Sequence, residues 1–251
     1  MREPPGEASP DFEVRIVPDL AALADAAAKE FAGAAREAIT HRGRFTVALS
    51  GGSTPRPFHE RLTRKPFKKE VGWKKILFFW GDERCVPPAH ERSNYRMARE
   101  TLLDPLKIPA ENVFRIEGEY PPARAAAAYD KLLRGRFPGA RRFPRFDFCL
   151  MGMGADGHTV SLFPGSPALA EKEKWAVPTR SPEKDARITL TYPVFNAARR
   201  VVFLVAGEEK SGPVSKIVKK ERGYRRLPAS EIRPSTGSLL WLLDQAAASR
   251  L

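Results

Sequence analysis

The sequence that decides the fold begins at Gly152 and reads Gly152-Met153-Gly154-Ala155-Asp156-Gly157-His158-Thr159-Val160-Ser161-Leu162-Phe163-Pro164. An apolar run, residues 146–151, comes directly before it and predicts a buried β-strand. Glycine lets the backbone take positive φ angles and approach a ligand closely, and histidine is well suited to move a proton near neutral pH. A glycine-rich turn that carries Asp156 and His158 at the end of a strand is typical of an active-site loop in an α/β enzyme.

This turn has two alternative interpretations. Gly152, Gly154 and Gly157 match the dinucleotide-binding pattern G-x-G-x-x-G. Against it, Asp156 would face a pyrophosphate, Pro164 would cut short the helix that should follow, and the match lies late in the chain. A purely structural turn is the second alternative, although such a turn needs only one or two glycines.

The remaining chain predicts strands alternating with helices. Strands are expected over 45–49, 76–80, 113–116, 187–191 and 201–206, and helices over 20–40, 56–63, 94–103, 122–134, 194–198, 210–218 and 238–248. Asp19 is placed to cap the first helix, and Gly43 follows it. Continuous apolar strands alternating with helices predict a Rossmann-like, mostly parallel sheet with helices on both faces. We expect a single α/β domain over 12–251 and a disordered leader over 1–11.

The composition is typical of a globular protein without a membrane segment. The chain has 251 residues, of which 42% are hydrophobic and 29% charged. No apolar run approaches the ~20 residues that span a bilayer, and the N-terminus lacks the apolar core of a signal peptide. Two lone cysteines, Cys85 and Cys149, suggest no disulfide framework, and the histidines are too scattered for a zinc site. We therefore predict a cytoplasmic protein without a metal site and without a membrane partner.

The formal net charge of +13 has several explanations. Basic residues cluster at 61–75, 141–142 and 219–226. Such clusters can bind nucleic acid or steer a small anionic substrate. Most of these basic residues, however, are expected to form a solvated surface. Because no stacking platform or nucleic-acid-binding motif is present, we expect no nucleic acid partner.

A second glycine-containing turn follows the strand predicted over 45–49, and it reads Ser50-Gly51-Gly52-Ser53-Thr54-Pro55. Its glycines free backbone N–H groups to form an anion cradle, and its hydroxyl groups add donors. The proline suits the first turn of the next helix, whose positive end favours a phosphate. No Gly-Lys-Ser/Thr follows, so this is not a Walker loop. The alternative is an ordinary capped turn between a strand and a helix.

Charged residues also follow the other predicted strands. Arg84 can pair with phosphate or sugar-acid oxygens. Asp82 or Glu83 can bind a hydroxyl or orient a base, although for Glu83 a surface ion pair is expected. Each of Arg187 and Lys210 alone would be a solvated cation. Because parallel strands end at one edge of a sheet, we expect these two to complete a phosphate clamp at the same sheet edge as residues 50–54.

Several motifs together resemble a known family. They are Ser50-Gly-Gly-Ser-Thr-Pro55, Asp82-Glu-Arg84 with Ser93-Asn94, Gly152-x-Gly-x-Asp-Gly-His-Thr-x-Ser-Leu-Phe-Pro-Gly165, Arg187-Ile-Thr, Gly207-x-x-Lys210, Pro228-Ala-Ser230 and Trp241-x-x-Asp244-x-Ala-Ala. In this order, from about residue 12 to the C-terminus, they resemble the 6-phosphogluconolactonases of the glucosamine-6-phosphate isomerase/6-phosphogluconolactonase family. The related deaminases typically read Phe-Asn-Glu-Pro where this chain has Ser161-Leu162-Phe163-Pro164, so their acidic residue for ring opening is absent here.

The resemblance implies hydrolysis of 6-phospho-D-glucono-1,5-lactone to 6-phosphogluconate, the second step of the oxidative pentose phosphate pathway. His158 is expected to be the general base, and Asp156 to orient it or the substrate. The residues expected to bind phosphate and sugar are Ser50, Gly51, Gly52, Ser53, Thr54, Asp82, Arg84, Asn94, Gly154, Arg187 and Lys210. The chemistry requires no cofactor, and the partner is a phosphorylated sugar lactone, bound by a monomer or small homo-oligomer. The alternatives are another sugar-phosphate enzyme, such as a deaminase or isomerase, and a non-catalytic protein that binds sugar phosphates or nucleic acid.

Overall fold

The computed structural model describes residues 12–251, so the leader predicted over 1–11 lies outside the described residues. Seven strands form a central sheet: β1 (Glu13–Val17), β2 (Phe45–Leu49), β3 (Ile76–Trp80), β5 (Val113–Phe114), β6 (Phe148–Met151), β9 (Arg200–Val205) and β10 (Ser238–Asp244). Their spatial order is β1-β10-β9-β6-β2-β3-β5, and every neighbouring pair is parallel. Three further strands, β4 (Asp82–Arg84), β7 (Ala176–Arg180) and β8 (Ala186–Leu190), form a small antiparallel sheet in the order β4-β8-β7.

The helices are mostly short and connect the strands. The α-helices are α1 (Leu20–Arg42), α2 (Pro55–Leu62), α3 (Phe67–Glu70), α4 (Asn94–Ala98), α5 (Pro122–Arg136), α6 (Tyr192–Asn196) and α7 (Ser211–Val218). A π-helical turn, Arg99–Leu103, continues α4, and 3₁₀ turns include Pro167–Ala170, Glu208–Lys210 and Pro228–Glu231. Within residues 12–251, no helix combines the length and the apolar character that crossing a membrane requires.

The first helix shows how local sequence signals set its limits. The Asp19 side chain accepts a hydrogen bond from Ala22 N, and Gly43 closes the helix with a φ of 74°. The alanine-rich face is buried, and Phe31 on that face contacts Phe45 and Phe148 edge-on, at 5.2 Å and 5.7 Å between ring centroids. Small alanines let the helix approach the sheet closely, so the aromatic ring fills the space between the layers. The predicted Asp19 cap is confirmed, and the helix continues two residues beyond the predicted range of 20–40, to Arg42, where Gly43 ends it.

The interior of the central sheet is covered on both faces. All residues of β2 and β6 are buried, as are nearly all residues of β3, β9 and β10. Such strands read as continuous apolar runs instead of alternating patterns because neither face meets water. This confirms the predicted α/β fold with a mostly parallel sheet.

One predicted helix is wrong. Residues 238–248 were expected to form an amphipathic helix, but Ser238–Asp244 is the strand β10, which lies between β1 and β9. Its run Leu239-Leu240-Trp241-Leu242-Leu243 is buried throughout, and Trp241 stacks on Phe203 at 4.1 Å between centroids. A short apolar run has no period that separates a buried strand from a buried helix. The strands β1, β4 and β7 were also missed.

The strand order explains where a ligand can bind. From β2 the chain moves outward to β3 and β5, whereas from β6 it moves to β9 and β10 on the other side. β2 and β6 are neighbours, so the turns that follow them lie side by side at the point where the order reverses. In open α/β sheets this position is the usual ligand crevice.

A buried tyrosine completes the edge of β3. The strand β5 pairs only with Phe78 and Phe79. Beyond it, the Tyr129 hydroxyl accepts a hydrogen bond from Trp80 N and donates one to Trp80 O, both at 2.9 Å. The two-residue strand β5 is too short to reach Trp80. The Tyr129 hydroxyl therefore makes the two hydrogen bonds that the backbone of a further β5 residue would make, just before Asp82.

We expect Tyr129→Phe to lower the free energy of unfolding by about 1–3 kcal/mol, because it leaves two buried backbone groups unpaired. Denaturant unfolding of both proteins measures the difference. Tyr120→Phe is the control, since the Tyr120 side chain is exposed. An equal, small effect of both variants would contradict this role of the hydroxyl.

The buried His59 makes stability depend on pH. Its side chain is fully buried, its Nδ1 lies 3.0 Å from Thr101 Oγ1, and burial, with a smaller effect of Arg56, lowers its pKa from 6.5 to about 3. The unfolded chain therefore binds a proton below about pH 6.5 that the folded chain takes up only near pH 3. Stability is lost as the pH falls through this window.

Relative to His59→Asn, we expect the wild type to lose up to about 1.4 kcal/mol of unfolding free energy per pH unit between pH 6 and pH 4. Asparagine keeps a donor toward Thr101 but does not titrate. The measurement is urea unfolding across this range, with His41→Asn, at an exposed position, as the control. Parallel pH curves for wild type and His59→Asn would contradict the assignment.

Candidate active site

A cleft of about 250 Å³ opens at the carboxyl ends of the central strands. It is lined by Ser50, Gly51, Gly52, Ser53, Thr54, Pro55, Asp82, Arg84, Asn94, Gly152, Met153, Gly154, His158, Val160, Arg187, Ala206, Glu209 and Lys210. Every residue predicted to bind phosphate or sugar lies in this lining. Of the predicted catalytic pair, His158 lies in the lining, and Asp156 lies behind it.

The turn after β6 holds the imidazole of His158 against a carboxylate. His158 Nδ1 lies 2.6 Å from Asp156 Oδ1, and the same oxygen accepts a hydrogen bond from His158 N at 3.0 Å. Burial favours the neutral acid, but these hydrogen bonds and the nearby imidazole outweigh it and hold the pKa of Asp156 below its ordinary value. An ionised Asp156 accepts a hydrogen bond from the Nδ1–H group of a neutral imidazole, so the Nε2 lone pair is free to accept a proton.

Gly154 makes this geometry possible. A Cβ at position 154 would lie 2.2 Å from His158 Nδ1 and 2.6 Å from Asp156 Oδ1. Any side chain there would displace the pair, and Gly154 N also donates to His158 O at 2.8 Å. The Phe163 ring also packs against the imidazole, with 4.7 Å between the two ring centroids. The imidazole is thus held by a carboxylate, a glycine backbone and an aromatic ring.

The turn after β2 lies beside this one. Ser50 is buried, and its Oγ has no hydrogen-bond partner among the described residues. A Cβ on Gly51 would lie 1.8 Å from Asn94 Oδ1, so the Asn94 amide packs directly on the Gly51 backbone. Thr54 stands at the N-cap of α2 without a side-chain capping bond, and Pro55 opens the helix. Donors at this turn are therefore left for a ligand.

Two arginines face each other across the small sheet. Arg84 on β4 is paired with Arg187 on β8 in the antiparallel register. Arg84 Nη1 donates to Asn94 Oδ1 at 2.7 Å and to Arg92 O at 2.8 Å. Arg187 was expected at the edge of the same sheet as Ser50. That expectation is wrong, because Arg187 lies on β8 of the small antiparallel sheet, although its side chain lines the same cleft.

Arg187 is poorly neutralised. Its side chain is only 14% exposed, its Nε has no hydrogen-bond partner among the described residues, and its nearest carboxylate oxygen, on Asp185, is 3.9 Å away. Burial and the positive charge of Arg84 lower the pKa of Arg187. Two guanidinium groups brought together without a matching anion form a site that favours a phosphate or carboxylate.

The two acidic residues before Arg84 have different surroundings. Asp82 lines the cleft and accepts a hydrogen bond from Ser161 Oγ at 2.6 Å. Glu83 was predicted in a surface ion pair; this is wrong, because Glu83 is buried and accepts hydrogen bonds from the backbone N–H groups of Arg84, Asn94 and Tyr95. Burial raises the pKa of both carboxyl groups. Glu83 thus fixes the loop that carries Arg84 and Asn94.

The turn after β9 places Lys210 in the cleft. Its Nζ lies 3.6 Å from Glu209 Oε1, and both residues line the cleft. Sequence reasoning missed Glu209, although its place inside the Gly207-x-x-Lys210 motif was a usable signal. Within residues 12–251, no group of three or more His, Cys, Asp or Glu side chains is arranged to hold a metal ion. The metal-free site stays a prediction.

Fold and cleft together define an α/β protein whose crevice gathers two arginines, a lysine and a carboxylate–imidazole pair. Residues 18–241 match the family model described as glucosamine-6-phosphate isomerases/6-phosphogluconolactonase. The chain belongs to this family, as its motifs predicted.

The most informative relatives carry one of the two family names. A protein from Nostoc sp. named 6-phosphogluconolactonase is 40% identical over 95% of this chain and 98% of its own length. The solved structure of 6-phosphogluconolactonase from Trypanosoma brucei has a TM-score of 0.85 at 31% identity and covers 96% of this chain and 98% of its own. A monomeric glucosamine-6-phosphate deaminase, at 18% identity and a TM-score of 0.80, shares the fold.

We expect Arg187→Met to raise the Kd for inorganic phosphate at least about tenfold, since a hydrogen bond to a charged group contributes roughly 1.5–3 kcal/mol. Isothermal titration calorimetry on wild type and variant tests this. Arg180→Met is the matched control, because Arg180 is exposed on β7 and does not line the cleft. Equal affinities of wild type and Arg187→Met would remove Arg187 from the anion site.

Proposed function

We propose that this chain is a carboxylic ester hydrolase that converts 6-phospho-D-glucono-1,5-lactone to 6-phosphogluconate. The observation that carries the proposal is the pairing of His158 with Asp156 at one wall of a cleft that also holds Arg84, Arg187 and Lys210. A base and an anion site within one small cleft suit an ester whose far end bears a phosphate. Relatives named 6-phosphogluconolactonase support the same activity.

His158 would act through Nε2. Nε2 takes a proton from water as the water oxygen attacks the lactone carbonyl carbon, and the carbonyl oxygen becomes an oxyanion. When the tetrahedral intermediate collapses, the bond to the ring oxygen breaks, and the imidazolium returns the proton to that oxygen. The product is an open-chain hydroxy acid, which ionises in water. General acid–base catalysis of this kind contributes roughly 10²–10⁴-fold to the rate.

Asp156 would support the base without touching the substrate. Its lowered pKa keeps it ionised, so it orients the Nδ1–H group and stabilises the imidazolium that forms during the reaction. This is the positioning part of a catalytic pair: the carboxylate fixes one tautomer and one ring orientation. Because a lactone is an activated ester, no covalent nucleophile is needed in the scheme.

The phosphate would bind where the cations and free donors meet. Arg187 supplies a nearly buried charge, Lys210 a point charge, and residues 50–54 backbone N–H and hydroxyl donors. Arg84 and Asn94 are held to each other and to the Gly51 backbone. These contacts would be equal in the ground and transition states, so they set KM more than kcat. The residue roles remain proposals.

A deaminase or isomerase is the second candidate within the family. In the deaminases an acidic residue follows the turn; in this chain Ser161 and Leu162 stand there, and the Ser161 hydroxyl donates to Asp82. No acid is therefore offered at this place for ring opening. A non-catalytic sugar-phosphate or nucleic-acid binder would not need the His158–Asp156 pair. We further propose that the reaction is the second step of the oxidative pentose phosphate pathway, that the protein is located in the cytoplasm, and that it is a monomer or small homo-oligomer.

We expect His158→Ala to lower kcat for the freshly generated lactone by roughly 10²–10⁴-fold, because it removes the general base. Turnover is coupled to 6-phosphogluconate dehydrogenase, and the spontaneous rate is subtracted. His41→Ala, at an exposed position outside the cleft, is the control, and circular dichroism checks that both variants fold. Near-normal turnover in a folded His158→Ala protein would contradict the mechanism.

A further inference from the structure

Glu209 is a carboxylate in a cleft that otherwise gathers cations. Among the described residues that line the cleft, the acidic ones are Asp82 and Glu209. Asp82 is buried and held by hydrogen bonds from Ser161 and Asn94. Glu209 is 62% exposed, and its one polar contact within residues 12–251 is the 3.6 Å ion pair with Lys210. The Glu209 carboxylate is therefore free to leave its place.

In the turn formed by residues 207–210, the Glu209 carboxylate lies against the backbone of Gly207. A Cβ on Gly207 would lie 2.4 Å from Glu209 Oε2, and Gly207 has a φ of 100°. The Gly207 backbone N–H is in turn held by the Asp244 carboxylate at 3.2 Å. Glu209 and Lys210 thus project from one fixed turn, and the absence of a side chain at position 207 gives the Glu209 carboxylate its room.

A phosphate bound at Lys210 would meet this carboxylate. One ammonium group cannot pair fully with two anions, and like charges a few ångströms apart repel each other even in a solvated cleft. Binding must therefore either displace Glu209 from Lys210 or tolerate the repulsion. Both reduce affinity for any ligand that presents a phosphate group here.

We propose that Glu209 is a specificity-determining residue that competes with the phosphate group for Lys210. The inference rests on the proposed function only in that Lys210 receives the phosphate. A bare phosphate ion loses the largest share of its affinity, because it is bound mainly by the cations of the cleft. A phosphorylated sugar loses a smaller share, because it makes further contacts with the cleft. Glu209 thus keeps small phosphate anions from filling the site and promotes release of the phosphorylated product.

The test compares Glu209→Gln with Glu208→Gln. Glu208 is exposed on the same turn and does not line the cleft, so the two variants change the net charge equally. In Glu209→Gln we expect the Kd for inorganic phosphate to fall by up to about fivefold, the range of an exposed ion-pair effect, and the KM for the lactone to fall by a smaller factor. We expect kcat not to rise, and both constants to stay unchanged in Glu208→Gln.

The alternative outcomes overturn the inference. A higher KM in Glu209→Gln would make Glu209 a ligand of the sugar hydroxyls, and equal effects of both variants would reduce its role to general charge. In a Lys210→Met background, Glu209→Gln should no longer lower the phosphate Kd; an undiminished effect would show that the competition does not run through Lys210. If the wild type hydrolyses no lactone, the proposed function fails, and the phosphate titration still decides the role of Glu209.

Discussion

The cleft depends on a single constraint, the reversal of strand order between β2 and β6. Because both strands are parallel and adjacent, their following turns must emerge side by side at one edge of the sheet. One turn, residues 50–54, offers backbone and hydroxyl donors, and the other offers the His158–Asp156 pair. The proposed phosphate site and the proposed general base therefore meet without any long loop to bring them together.

The second layer of the site comes from the small antiparallel sheet. Its register sets Arg84 opposite Arg187, and the buried Glu83 holds the loop that leads to Asn94. Burying a guanidinium that lacks a carboxylate within hydrogen-bond distance is unfavourable for folding. A bound anion would supply the missing charge, so Arg187 is the cation that most directly supports the proposed anion site. Glu209 offsets part of the remaining positive charge at Lys210.

The sequence predicted the polar residues in the turns after the strands better than it predicted which segments form strands. Glycines beside Asp156, His158 and Ser50 are local signals, and the Asp19 cap and Gly43 are local too, so each could be read directly. The apolar run of β10 could not, because a strand buried on both faces and a buried helix share that composition. The strand β4 has three residues, too few for any period, and so the origin of Arg187 in a second sheet was missed. Burial of Glu83 depends on backbone groups from residues 84–95, which only the fold brings to it.

The most direct test of the account compares two substrates with the wild-type protein: 6-phosphogluconolactone and gluconolactone without the phosphate. The rate of acid release above the spontaneous rate is measured for each, at equal concentrations below saturation. If the cleft joins a general base to a phosphate site, the phosphorylated lactone is hydrolysed far faster than the unphosphorylated one. Equal acceleration of both lactones, or none above the spontaneous rate, would contradict the central claim.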